Sequence, residues 1–177
     1  MDAPTRIMTV ETMPGPKSDE VQAHRGASAL APENTIAAFR KAAEQGAKWV
    51  ELDVALLGDG TLVVIHDVTI DRTTSGSGAL GDMRRANLDG LDAGSWFDGE
   101  FAGEPLPTLD AVIAELGKLG LNANVEIKQH AHHRSLDQLV QTVQAAIARR
   151  APQTEIMISS FDPEALRAMH ALEPELE

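Results

Sequence analysis

Trp49-Val50-Glu51-Leu52-Asp53-Val54 is the stretch that decides the predicted fold. Side chains on a strand alternate between two faces, so Val50, Leu52 and Val54 point one way while Glu51 and Asp53 point the other. Two carboxylates roughly 7 Å apart on one face of an otherwise apolar strand are unfavourable unless another charge compensates them. A divalent cation is the simplest compensating charge, so this strand predicts a metal site.

The segment after this strand predicts a hairpin. Asp59-Gly60 separates the strand from a second apolar run at 62–65, and Asp-Gly is typical of a two-residue hairpin turn. If these two residues form the loop, counting back along both strands places His66 directly opposite Asp53. The sequence therefore predicts that Glu51, Asp53 and His66 converge on a metal-assisted acid–base site.

The composition is that of an ordinary soluble globular protein. The 177 residues are 43% hydrophobic and 24% charged, which allows a buried core and favours one domain. There is no Cys, which excludes disulfides, thiolate metal ligands and cysteine nucleophiles and favours a cytoplasmic location. The net charge of −12 argues against general binding to nucleic acid or to anionic membranes. An anionic substrate therefore needs local positive charge, from a cation or from placed Arg and Lys side chains.

The chain divides into a tail and one domain in this interpretation. Residues 1–20 contain three prolines among polar residues and no apolar run, so we expect a flexible N-terminal tail without a signal peptide or membrane anchor. No stretch approaches the ~20 apolar residues that cross a bilayer. Residues 21–177 form the domain, which an irregular insertion at residues 68–107 interrupts.

Strand and helix signals alternate along the domain. A strand at 21–24 precedes a helix whose N-cap is predicted to be Asn34, and the next strand covers 48–54. Later helices begin at Pro107-Thr108, near Leu136 and at Asp162-Pro163, with strands predicted at 124–128 and 155–161. This order favours a parallel α/β sheet or barrel with four strand–helix units. A (β/α)8 barrel has about 250 residues, so the chain corresponds to about half of one.

Seven polar side chains fall at or near predicted strand ends or in the hairpin, the edge at which α/β folds carry active sites. They are His24, Arg25, Glu51, Asp53, His66, Glu126 and Lys128. Three carboxylates suit Mg²⁺ or Ca²⁺ better than zinc. The histidines suit a general base and a general acid, and the basic side chains suit charge developing on a phosphoryl group. Each residue taken alone also has a structural explanation, such as a Glu126–Lys128 ion pair. Three acidic side chains together at the ends of strands are hard to explain by structure alone.

The chain resembles the glycerophosphodiester phosphodiesterase family in six ordered motifs between residues 23 and 161. They are His24-Arg25-Gly26, Pro32-Glu33-Asn34-Thr35, Glu51-Leu52-Asp53-Val54, His66-Asp67 through Asp71-Arg72-Thr73-Thr74, Pro107-Thr108-Leu109, and Val125-Glu126-Ile127-Lys128. The resemblance implies a TIM-barrel-type fold with about the first four units present. It also implies hydrolysis of glycerophosphodiesters to glycerol 3-phosphate and an alcohol, with Mg²⁺ or Ca²⁺ as cofactor.

The resemblance also implies roles for the candidate residues. In the family a glycerol hydroxyl attacks the phosphorus and gives a cyclic phosphate, which water then opens. The family's histidine pair maps onto His24 and His66, and its phosphate-contacting residues map onto Arg25 and Lys128. Its metal ligands map onto Glu51, Asp53 and Glu126, and the insertion corresponds to a small subdomain that caps the site.

The sequence leaves two alternative functions open and also predicts the partners of the protein. A lyase of the phospholipase type would stop at the cyclic phosphate, and an inactive interaction module would keep the site without turnover. The expected partner is a small-molecule glycerophosphodiester, with no nucleic acid and no stable membrane anchor. A half-barrel exposes two strand edges, which favours a homo-oligomer.

Overall fold

Strands and helices alternate along the part of the chain that the computed structural model describes, namely residues 21–130, 135–174 and 176. Their order is β1 (Gln22–His24), α1 (Ile36–Glu44), β2 (Trp49–Leu56), β3 (Leu62–Val64), α2 (Leu109–Leu119), β4 (Asn122–Ile127), α3 (Leu136–Ile147), β5 (Ile156–Ser159) and α4 (Pro163–Leu172). Three short 3₁₀ helices lie between β3 and α2, at Leu80–Asp82, Arg85–Leu88 and Gly99–Phe101. The tail expected at residues 1–20 lies outside the described residues.

One sheet carries all five of these strands. Its order is β1-β2-β4-β5 with parallel neighbours, and β3 pairs antiparallel with β2 beside this path. Parallel neighbours require crossover connections, which the helices between them supply. The four predicted strand–helix units are therefore present in the predicted order. No helix within the described ranges is long and apolar enough to cross a bilayer.

The main core lies between the sheet and its helices. Val50, Leu52 and Val54 of β2 are fully buried there, in the same cluster as Phe39 of α1 and Val112 of α2. The predicted alternation along β2 is thus confirmed on its apolar face. Burial of each such side chain contributes about 1.5–3 kcal/mol to folding, so this face holds β2 in place.

A second core joins the insertion to the hairpin. Val63 and Ile65 of the hairpin segment are buried in one cluster with insertion residues that include Ile70, Leu80 and Leu106. The three insertion aromatics also pack on one another, with ring centroids 5.7 Å apart for Trp96–Phe97 and for Phe97–Phe101. The insertion therefore packs on the hairpin through its own apolar contacts.

The hairpin loop contains three residues, not the two that were predicted. Leu57 N donates to Thr61 O at 2.8 Å, so Gly58–Gly60 form the loop. Gly60 has a φ of 88°, the left-handed conformation that closes a three-residue loop. The Asp59 carboxylate accepts from Thr61 N at 3.0 Å and from Arg85 N at 2.8 Å, which ties the loop to the insertion.

The longer loop shifts the hairpin register by one residue. Val54 pairs with Val64, and Ile65 N donates to Asp53 O at 3.0 Å. Ile65 therefore lies opposite Asp53, and the prediction that placed His66 there is wrong. A one-residue shift reverses which face each side chain occupies, so Ile65 joins the second core while His66 follows the strand.

The N-termini of helices α1 to α4 follow local capping rules, and one N-cap differs from the prediction. Thr108, Ser135 and Asp162 accept from a backbone N–H of the first turn in α2, α3 and α4. In α1 the N-cap is Thr35, whose hydroxyl accepts from Ala38 N at 3.2 Å, and not the predicted Asn34. The Asn34 side chain is used elsewhere, in the candidate site.

Replacing Leu52 by Ala should lower the free energy of unfolding by about 2–5 kcal/mol, because it leaves a cavity in the main core. Equilibrium urea denaturation measures this change. The matched control is Leu30→Ala, since Leu30 is 49% exposed, and a change within about 0.5 kcal/mol is expected there. Equal losses in the two variants would contradict the assignment of the Leu52 face to the core.

Candidate active site

The parallel register brings three carboxylates together at the carboxyl end of the sheet. Asp53 of β2 pairs with Glu126 of β4, and Glu51 of β2 pairs with His24 of β1. Each of Glu51, Asp53 and Glu126 offers an oxygen that lies within 4.8 Å of the other two. Glu51 and Asp53 are buried and Glu126 is half-buried. The three predicted metal ligands therefore share one small volume, which we call the carboxylate cluster.

Asn34 supports the cluster from the loop before α1. Its Nδ2 donates to Asp53 Oδ2 at 2.8 Å, and its Oδ1 accepts from Asp53 N at 3.3 Å. The residue is buried and has a φ of 59°. Sequence reasoning missed this function because Asn before a helix is also a typical N-cap. Its place in the Pro32-Glu33-Asn34-Thr35 motif was the available signal.

Arg25 contacts the cluster with both its backbone and its side chain. Its N–H donates to Glu51 Oε2 at 3.0 Å, and its Nε lies 3.2 Å from Asp53 Oδ2. Its Nη1 donates to Glu33 Oε1 at 2.9 Å. Like Asn34 it has a positive φ, 56°, and these two are the non-glycine residues with that conformation in the described ranges. Such strained backbone clusters at functional sites, where the surrounding contacts hold it.

Gly26 lets the Arg25 turn lie against α1. A Cβ at Gly26 would come within 2.7 Å of the Ala38 Cβ, and Gly26 has a φ of 79°. Only glycine fits both conditions without displacing the helix. This contact explains why the His24-Arg25-Gly26 motif needs its third residue.

Lys128 reaches the cluster from the residues that follow β4. Its Nζ donates to Glu126 Oε1 at 2.5 Å and lies 3.1 Å from Asp53 Oδ1. Burial lowers the pKa of this ammonium, but the bonds to Glu126 and Asp53 outweigh that effect and raise it overall. Lys128 is therefore charged at neutral pH. The Phe161 ring, whose centroid is 5.7 Å from Nζ, covers the same group.

The surroundings of Glu51 disfavour the ionised form of its carboxyl group. Burial, together with repulsion from Asp53 and Glu126, raises its pKa from 4.5 to about 7. Its Oε1 is buried and accepts no hydrogen bond from any described residue. A buried, unpartnered carboxylate oxygen beside two further carboxylates is a suitable donor set for a hard cation such as Mg²⁺ or Ca²⁺. The residues present therefore fit a divalent metal.

The two candidate histidines occupy different surroundings. His24 is 66% exposed, and its Nε2 lies 3.7 Å from Glu51 Oε2 at the rim of the cluster. His66 is half-buried, and its Nδ1 lies 2.7 Å from Asp67 Oδ1. His66 thus contacts a carboxylate outside the cluster, in agreement with the shifted hairpin register.

Three residues without an assigned role connect His66 to Arg25. Arg72 of the insertion binds both Asp67 and Glu33, and Glu33 binds Arg25. Glu33, Asp67 and Arg72 all lie in the motifs that the chain shares with the family. No local sequence pattern predicts that Arg72 pairs with Glu33, which is 39 residues away. We call Arg25, Glu33, Arg72, Asp67 and His66 the charged chain.

The profile of the glycerophosphoryl diester phosphodiesterase family matches residues 24–177. The chain belongs to this family. A glycerophosphodiester phosphodiesterase of Caldanaerobacter subterraneus is 43% identical over 159 residues, which cover 89% of this chain and 64% of that protein. One of Bacillus subtilis is 34% identical over 185 residues, which cover 98% of this chain and 59% of that protein.

Solved structures of this family have the same fold. An Oleispira antarctica phosphodiesterase in complex with the product sn-glycerol-3-phosphate matches with a TM-score of 0.83 at 38% identity, over 88% of this chain and 63% of that one. A glycerophosphodiester phosphodiesterase from Agrobacterium tumefaciens matches with a TM-score of 0.71 at 38% identity, over 86% and 62%. The predicted TIM-barrel-type fold is confirmed, with four strand–helix units in the described residues.

The chain covers part of each family member. It spans between 59% and 64% of the length of these four proteins. All seven candidate site residues nevertheless lie within the stretch that the family profile matches.

The raised pKa of Glu51 predicts a pH-dependent stability in the presence of a chelator. The unfolded carboxyl ionises near 4.5 and the folded one near about 7, so the folded state binds more protons between these values. The contribution of Glu51 to stability is therefore complete below pH 4.5, and about 3 kcal/mol of it is lost as pH rises through 7. Urea denaturation across this range measures the fall.

Glu51→Gln should remove most of that fall, because an amide does not ionise. The exposed Glu44 of α1 provides the matched control, and Glu44→Gln should keep the dependence of the unmodified protein. A Glu51→Gln curve that still falls like the control would contradict the electrostatic account of Glu51.

Proposed function

We propose that the protein hydrolyses glycerophosphodiesters to glycerol 3-phosphate and an alcohol, with a divalent cation. The observation that carries this proposal is the carboxylate cluster flanked by Arg25 and Lys128, at the carboxyl end of a parallel sheet. This arrangement combines metal ligands with fixed positive charge, as phosphoryl chemistry requires. Family membership and the product bound in the Oleispira antarctica structure support the choice of substrate.

Glu51, Asp53 and Glu126 would hold the metal, which is Mg²⁺ or Ca²⁺ in this proposal. Both are hard cations that prefer oxygen ligands, and the unpartnered Glu51 Oε1 is available to bind one. When bound, the cation would supply positive charge for the phosphoryl group and would offset the repulsion among the carboxylates.

Arg25 and Lys128 would hold the phosphodiester. Their side chains are 17% and 14% exposed, and their charged ends contact Asp53 of the carboxylate cluster. A guanidinium offers two parallel N–H donors that match two phosphoryl oxygens, and an ammonium adds a point charge. Together they would stabilise the negative charge that increases on the phosphoryl oxygens in the transition state.

His24 and His66 would transfer the protons. In the first step one histidine accepts the proton of the attacking glycerol hydroxyl, while the other donates a proton to the departing alcohol oxygen. This forms a cyclic phosphate. In the second step the roles reverse: water loses a proton to the second histidine as it attacks phosphorus, and the ring oxygen receives one from the first. Both histidines then regain their starting states.

The insertion at residues 68–107 would form the side of the site nearest to His66. Its Arg72 donates to Glu33, so the insertion contacts the loop before α1 that also provides Asn34. We propose that residues 21–177 act as one domain with this insertion as a cap. The second core, shared with the hairpin, supports this arrangement.

The activity is tested with glycerophosphocholine and Mg²⁺ or Ca²⁺, followed by phosphorus NMR. Glycerol 3-phosphate should accumulate, and His66→Ala should reduce turnover by about 10²-fold or more while leaving the metal affinity unchanged. A persistent cyclic phosphate would indicate the lyase alternative. No product above the His66→Ala background would indicate a binding module without turnover.

Glu51→Gln should weaken metal binding by at least about tenfold, because it replaces a charged ligand with a neutral one. Isothermal titration calorimetry with Mg²⁺ and with Ca²⁺ measures the affinity. Glu44→Gln removes the same charge from an exposed position on α1 and should leave the affinity unchanged. Equal affinities for both variants would remove Glu51 from the ligand set.

A further inference from the structure

The charged chain extends from the carboxylate cluster to His66 with alternating signs. Asp53 contacts Arg25, Arg25 contacts Glu33, and Glu33 contacts Arg72. Arg72 then contacts Asp67, which contacts His66. The proposed proton transfers and phosphate contacts use only the two ends of this chain, so its middle has no assigned role.

Arg72 lies in the middle of the charged chain and donates hydrogen bonds from two edges of its guanidinium. Its Nε and Nη2 donate to the two Asp67 oxygens at 2.7 and 3.1 Å. Its Nη1 and Nη2 donate to the two Glu33 oxygens at 2.9 and 2.8 Å. One planar group therefore makes two bidentate pairs, and the plane sets the angle between the two carboxylates.

The insertion holds the backbone around Arg72 from both sides. The Thr74 hydroxyl donates to Ile70 O at 2.7 Å and accepts from Gly76 N at 3.1 Å. The Asp71 carboxylate accepts from Gly78 N at 3.3 Å. Arg72 thus projects from a turn that is fixed by its own hydrogen bonds.

Asp67 determines which nitrogen of His66 carries the proton. The Arg72 guanidinium, and to a smaller extent His66, hold the pKa of Asp67 down at about 2, so this carboxylate only accepts hydrogen bonds near neutral pH. Its contact with His66 Nδ1 at 2.7 Å therefore requires a proton on Nδ1. In the neutral ring Nε2 is then unprotonated and available as a base.

We propose that Arg72 is a positioning residue that orients His66 through Asp67 and Arg25 through Glu33, and so couples one proton-transferring group to one phosphate-binding group. The kinetic part of this proposal rests on the proposed function. The structural part does not, because the tautomer of His66 can be measured without turnover.

The first test measures the His66 tautomer in the full chain labelled with ¹⁵N-histidine. Long-range ¹H–¹⁵N spectra distinguish the two neutral forms, and His66→Gln assigns the signals. The unmodified protein should show Nδ1 protonated and Nε2 unprotonated. Arg72→Gln should give a mixture of both forms, because the amide makes neither bidentate pair.

Arg72→Lys separates charge from geometry. An ammonium restores the positive charge but not the two planar forks, so this variant should also give a mixed tautomer. Full restoration of the original tautomer by Lys would overturn the proposed role of the guanidinium geometry.

The second test follows turnover of glycerophosphocholine with Mg²⁺. Arg72→Gln should lower kcat by about 10²-fold, the scale expected for a misplaced catalytic group, and raise KM as Arg25 loses its fixed orientation. Arg85→Gln is the matched control, since Arg85 lies in the same insertion, is exposed and pairs with Asp89. It should leave both the kinetics and the His66 tautomer unchanged.

The outcomes separate this proposal from the proposed function. An unchanged His66 tautomer in a folded Arg72→Gln variant overturns the positioning role, whether or not the protein turns over substrate. A changed tautomer in a protein without activity retains that role and rejects only the hydrolase. If circular dichroism shows that Arg72→Gln is unfolded, Arg72→Lys replaces it in this comparison, and an unchanged His66 tautomer in that folded variant would refute the proposal.

Discussion

The burial of Asp53 is the constraint on which the site depends. This carboxylate is 1% exposed, and a charge so far from water needs partners that the protein itself supplies. Asn34, Arg25 and Lys128 supply them, from the loop before α1, the turn after β1 and the end of β4. Because these partners come from separate segments, satisfying Asp53 also fixes how the segments meet at the carboxyl end of the sheet.

The positive charge around the cluster is distributed unevenly. Arg25 and Lys128 lie on Asp53, and Lys128 also neutralises Glu126, while Glu51 has a side-chain oxygen without a partner among the described residues. The raised pKa of Glu51 and its unpartnered oxygen have the same cause, namely burial beside like charges. The cluster therefore lacks positive charge at one defined place, which is where an oxygen-binding cation fits best.

A second set of interactions joins the insertion to the rest of the domain. The apolar part is the second core, in which the hairpin segment contributes Val63 and Ile65. The charged part is the charged chain, in which Glu33 of the loop before α1 pairs with Arg72 of the insertion. The apolar contacts hold the insertion against the hairpin segment. The bidentate pairs of Arg72 are directional, so they fix the angle between its guanidinium and the carboxylates of Asp67 and Glu33.

The sequence by itself determined the features that depend on local chemistry. The alternation along β2 assigned Val50 and Leu52 to the core and Glu51 and Asp53 to the other face, because strand side chains have a period of two. The predicted cap at Asp162 sets the start of α4 for an equally local reason.

Only the tertiary structure decided the remaining features. His66 differs from its predicted place by one residue, because the loop has three residues and not the two that are typical of Asp-Gly. In that loop Asp59 accepts from the backbone N–H of Arg85 in the insertion, a contact that the local pattern does not predict. Asn34 became a partner of Asp53 across 19 residues, and Arg72 became a partner of Glu33 across 39. Pairs so far apart in the sequence form only when their segments pack together in the folded protein. The local periodicity of hydrophobic residues does not predict which of them meet.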